Sequence, residues 1–100
     1  MKTTLTTEVV AQVAAATSDK KCVWFQNYSD AEGIYVFPVV GEADNPTTPE
    51  EEFFLPPADS ATKPSTLMLQ ATGGDGTLVN REWRAYQESG GDLDIYVGKW

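Results

Sequence analysis

The clearest pattern in the chain lies near its end, where Leu93, Ile95 and Val97 alternate with Asp94 and Tyr96. A period of two puts the first three on one face of a strand and the other two on the opposite face, so Leu93, Ile95 and Val97 are expected in the core. Similar signals recur upstream. Cys22 to Tyr28 is rich in β-branched and aromatic residues, residues 29–33 read as a turn, and Ile34 to Val40 follows as a second strand, so the two suggest a hairpin. Pro38 cannot donate to a ladder and argues for an edge position or a bulge there. Phe53, Phe54 and Leu55 make a short strand stopped by Pro56 and Pro57. In residues 66–71, Leu67 and Leu69 face one way, and Met68 and Gln70 the other. Leu78 and Val79 open another strand that continues over 82–87, with Trp83 and Ala85 opposite Arg84 and Tyr86. Ser89, Gly90, Gly91 and Asp92 read as a tight hairpin turn into the final strand.

Residues 7–16 read differently. Thr7 can cap a helix, Glu8 suits a first turn, and Val9, Val10 and Val13 fall on one side of a 3.6-residue period. A helix this short cannot hold itself together in water, so its small apolar face of Val9, Val13, Ala14 and Ala15 must dock on something. The fold expected from these elements is mostly β: an antiparallel β-sandwich or barrel with a short N-terminal helix. Residues 1–16 form an N-terminal arm or helix and residues 17–100 the β-sandwich domain.

Composition narrows the function. The chain has 100 residues, one domain's worth, and a net charge of −8 from 15 acidic and 7 basic residues. From Cys22 to Thr62 there are eight acids and no Lys or Arg. A phosphate backbone would be repelled by such a surface, so nucleic acid is not an expected partner. No stretch reaches the ~20 apolar residues of a membrane span. Glu8 and Gln12 interrupt what would otherwise resemble a signal peptide, and an intracellular chain is expected.

Catalytic chemistry finds little to work with. The chain has no histidine and one cysteine, Cys22, so the usual zinc sites and Ser-His or Cys-His pairs cannot be built, and no cofactor or metal is expected. Glu50, Glu51 and Glu52 lie in a proline-rich acidic run that reads as a solvated loop or a steering surface for a basic partner. Gly73, Gly74, Asp75 and Gly76 form a turn and not a phosphate loop, because no Lys-Ser/Thr follows. The aromatics say more. If Val23, Phe25, Leu93 and Ile95 point inward, Trp24, Tyr96 and Trp100 point out, and outward aromatics call for cover. The expectation is a binding protein and not an enzyme. Its interface residues are expected to be Val9, Val13, Trp24, Tyr96, Trp100, Glu50, Glu51 and Glu52.

The run Gln26-Asn27-Tyr28-Ser29-Asp30, followed by Ile34-Tyr35-Val36, resembles small β-sandwich virion structural proteins of tailed bacteriophages. Leu55-Pro56, Trp83 to Tyr86 and Leu93 to Val97 stand in matching order, so the resemblance covers roughly residues 17–97. Pro57-Ala58 departs from the Pro-Gly turn common after the Leu-Pro position, and the acidic loop 42–52 is long. The resemblance implies a capsid decoration, neck, spike or fibre protein that works by protein–protein assembly. Its partners would be itself, as a homo-oligomer with a trimer favoured, and other virion proteins. It would be found in the virion, and in host cytoplasm during assembly. Two other classes stay open: a small acidic inhibitor that mimics nucleic-acid charge to block a host defence protein, and a carbohydrate-binding module stacking sugars on Trp24, Trp83 or Trp100.

Overall fold

The computed structural model describes residues 1–39, 53–60, 62–70, 76–88 and 91–100. Eight strands run through them: β1 (Lys2–Leu5), β2 (Ala11–Ala14), β3 (Cys22–Asn27), β4 (Ile34–Pro38), β5 (Phe54–Leu55), β6 (Ser65–Gln70), β7 (Trp83–Tyr86) and β8 (Leu93–Lys99). One helical turn, α1 (Gly76–Val79), precedes β7. The strands form two antiparallel four-stranded sheets, in the orders β1-β8-β3-β6 and β2-β7-β4-β5. We call these the first and second sheets. Every connection between successive strands except β4 to β5 passes from one sheet to the other.

That topology follows from what each strand buries. β3 turns Val23 and Phe25 inward and β8 turns Ile95 and Val97 inward, while Leu5 closes the edge from β1. Opposite them lie Ile34 and Val36 of β4, Trp83 and Ala85 of β7, Leu55 of β5 and Val13 of β2. The two sets make one buried core, so the sheets pack in a sandwich-like arrangement. The Phe25 and Trp83 rings meet across it at 4.9 Å, and Phe53 meets Trp83 edge-on at 5.5 Å. Burying each of these large side chains is worth about 1.5–3 kcal/mol. The indole N–H of Trp83 donates to the Leu78 carbonyl at 2.9 Å, so the largest core residue leaves no polar atom unpaired.

The alternation in β8, β7 and β6 is as expected, down to Met68 exposed between half-buried Leu67 and Leu69. Pro38, expected at an edge or a bulge, stands on an inner strand: β4 lies between β7 and β5, and Pro38 is opposite Trp83 of β7. The Val36 amide donates to the Phe53 carbonyl at 2.9 Å, so in the alternating pattern the nitrogen of Pro38 also lies on the β5 side and its missing N–H takes nothing from the ladder to β7.

Three expectations are corrected. There is no N-terminal helix: residues 1–16 supply β1 to the first sheet and β2 to the second, and so belong to both layers. The chain crosses between them at Glu8, whose φ of 58° lies in the left-handed region, and the Val9 amide closes a turn onto the Thr6 carbonyl at 3.2 Å. The apolar pattern of Val9, Val10 and Val13 fits a helix, yet pairing with β7 and burial of Val13 decide otherwise. Neither suggested hairpin is one, because β3 and β4 lie in different sheets, as do β7 and β8. Turn residues mark a reversal of direction but do not say which layer receives the chain. Leu78 and Val79 lie in α1 and not in a strand.

Candidate interaction surfaces

The segment that carries the resemblance is built around one buried amide. Asn27 ends β3 with its side chain fully buried. Its Oδ1 accepts from the Ser29 amide at 2.9 Å, and its Nδ2 donates to the Glu32 carbonyl at 2.8 Å and the Pro56 carbonyl at 3.1 Å. Ser29 Oγ accepts from the amides of Ala31 and Glu32 at 3.3 and 3.2 Å. Asn-x-Ser thus folds the crossing from β3 to β4 and ties it to the end of β5. The motif serves the fold here.

The outer face of the first sheet is an aromatic and apolar stripe. Register sets Tyr96 beside Lys2 and Gln26, and Trp24 beside Gly98 and Met68. The Trp24 indole lies over Gly98, and any side chain there would collide with the ring. Tyr28 meets Tyr96 edge-on with ring centres 5.1 Å apart. Tyr28 is 37% exposed, Met68 46% and Trp100 60%. Only two outward positions of the four strands carry charge, Lys2 and Asp94, and they pair with each other at 3.8 Å. Asp94 also accepts from Thr4 Oγ1 at 2.7 Å. In a chain of net charge −8 this face is neutral.

The second sheet also carries outward rings. Tyr35 pairs with both Tyr86 and Phe54, and the Tyr35 and Phe54 rings lie 4.9 Å apart. Phe54 rests against Gly33 and is otherwise exposed. Desolvation, then the charges of Glu8 and Glu88 and the neighbouring Tyr35, hold the Tyr86 hydroxyl above its ordinary pKa. The ion pair of Arg84 with Glu82, at 2.8 Å, sits on the same sheet.

A third feature is a cleft of about 630 Å³ where β1 and β2 run along the same flank of the molecule. Val13, Ala14 and Val97 line it, with Thr3 and Gln12. Lys99 stands in it and donates to the carbonyl oxygens of Ala15 at 2.9 Å and Arg81 at 3.1 Å, and to Thr17 Oγ1 at 3.4 Å. Burial, and then the charge of Lys20, lower the Lys99 pKa. Asn80 fixes the loop beside it, accepting from Thr17 Oγ1 and the Lys20 amide at 2.7 and 2.9 Å.

The structure separates the expected interface residues. Trp24, Tyr96 and Trp100 all belong to the first sheet, and the Trp100 backbone is tied to Cys22 by bonds of 2.8 and 3.0 Å. Val9 is 51% exposed in the turn before β2, whereas Val13 is 5% exposed, belongs to the core and reaches the surface only where it lines the cleft. Glu50, Glu51 and Glu52 lie outside the described residues. Trp83 is fully buried, which removes it as a sugar platform. Cys22 is buried and its thiol pKa raised by desolvation, the setting of an apolar side chain and not of a nucleophile. Tyr28 and Met68 join the stripe without having been singled out. Their signal was present, since Tyr28 shares parity with Trp24 and Met68 stands opposite Leu67 and Leu69.

No family model matches the chain. No curated protein and no solved structure matches it either. Among the described residues no group of acidic, Cys or His side chains is placed to hold a metal ion, and no helix is long and apolar enough to cross a membrane.

Proposed function

We propose that the protein is a structural virion component of a tailed phage, of the decoration, neck, spike or fibre kind, acting by protein–protein assembly. The observation that carries this reading is the outer face of the first sheet. Tyr28, Tyr96, Trp24 and Met68 share it, and its only charges are the Lys2–Asp94 pair. Two copies of a chain at −8 repel one another through most surfaces, and a neutral aromatic face lets them meet without that cost. Resemblance of Gln26 to Asp30 and Ile34 to Val36 to virion proteins supports the setting; the physical argument supports only assembly.

The test is light scattering across a concentration series on the full chain and on the Met68→Lys and Tyr28→Lys variants. The parent chain should form a defined oligomer, with a trimer favoured. Either charge on the neutral face should return it to monomer while circular dichroism stays unchanged. A parent chain that stays monomeric at every concentration, or variants that assemble like the parent, would remove this face as the contact.

A further inference from the structure

The cleft between β1 and β2 combines three features that one kind of ligand would satisfy together. The first is strand-edge backbone left unpaired among the described residues. Met1 and Val97 exchange both main-chain bonds, each 2.8 Å, so in the alternating antiparallel pattern Lys2 and Thr4 turn their N–H and C=O groups away from β8. β1 ends its sheet, and β2 ends the other on the same flank. The second feature is the apolar wall of Val13, Ala14 and Val97 behind that edge. The third is Lys99. Its three acceptors are all neutral, and among the described residues no carboxylate pairs with it. A half-buried ammonium without a counter-charge in a protein of net charge −8 marks the place where an incoming negative group is favoured.

We propose that this cleft takes an extended segment of a partner polypeptide, paired to the open strand edge, whose inward face carries apolar side chains and one carboxylate that meets Lys99. Strand addition supplies the backbone bonds, alternate side chains enter the cleft, and the carboxylate replaces the longest Lys99 contact, that to Thr17. The chemistry of the segment follows from the period of two: carboxylate and apolar groups at every second residue, and polar groups between them. The inference rests on the assembly reading, because it names a partner for a surface separate from the aromatic face.

The experiment is a titration of the isotope-labelled full chain, followed by amide chemical shifts, with the capped peptide Glu-Thr-Val-Thr-Val and its Gln-Thr-Val-Thr-Val counterpart. Shifts should be confined to β1, β2 and residues 97–99. The glutamate peptide should bind about tenfold more tightly than the glutamine one, the size of one charge-assisted bond. Lys99→Met should erase that difference and Lys99→Arg should keep it. If Lys99→Met does not fold, the two peptides on the parent chain decide the matter. Equal binding of both peptides, shifts mapping elsewhere, or no shifts at all would overturn the proposal. So would hexanoate binding as tightly as the peptide, which would make the cleft a small-acid site. Running the titration on Met68→Lys separates this outcome from the first test, because loss of self-assembly leaves the cleft intact.

Discussion

Residues 93–99 and residues 2–14 both end up as strands, but only the first announce it. β8 lies between β1 and β3, and its inward Ile95 and Val97 are buried. Those two positions must be apolar, and the alternation shows directly. β1 and β2 each form the edge of a sheet and bury little: Leu5 in one and Val13 in the other, with Val9 left exposed. The three valines then fall by accident on a helical period. β8 carries its own evidence, while β1 and β2 borrow their structure from the partners they pair with.

The comparison breaks most severely by deletion. Removing residues 1–16 takes away Leu5, Val13 and an edge strand of each sheet, so the remainder should lose cooperative unfolding and its β-sheet circular dichroism. A truncated chain that unfolds like the parent would restore the reading of this segment as an appended arm. Ile95→Ala should come next, at about 2–5 kcal/mol in denaturant unfolding, as a fully buried residue of a central strand. Val13→Ala should cost about 1–2 kcal/mol, because fewer methyl groups are lost and an edge site collapses more readily. A loss at Val13 as large as that at Ile95 would show that the edge is packed as firmly as the centre. Glu8→Gly should raise stability by about 0.5–1 kcal/mol by relieving a left-handed backbone that a side chain disfavours. Val9→Ser should fall within about 0.5 kcal/mol of the parent. A larger loss in the free protein would mean that Val9 packs on the chain itself.

The aromatic face and the cleft differ in the same way. Tyr96 and Trp24 were legible as outward residues once the parity of β8 and β3 was read. Gathering them with Tyr28 and Met68 needed the order β8-β3-β6, which joins strands far apart in the chain. Nothing in the sequence pointed to Lys99 beside Val13 and Ala14. That neighbourhood arises because β2 lies opposite β8 across the edge of the sandwich, and no local pattern records it.

The sequence by itself determined which residues of β6, β7 and β8 share a face, and for β8 that Leu93, Ile95 and Val97 face inward, because burial on one side of a strand imposes a period of two. It also determined a reversal of the chain at Asn27 and Ser29, whose side chains bond the turning backbone. Only the tertiary structure decided which strands pair, since a turn between layers and a turn within one use the same residues. It likewise decided that residues 1–16 are strands, because two edge strands of four residues each gain their hydrogen bonds and their burial from β7 and β8 some 70 to 90 positions away.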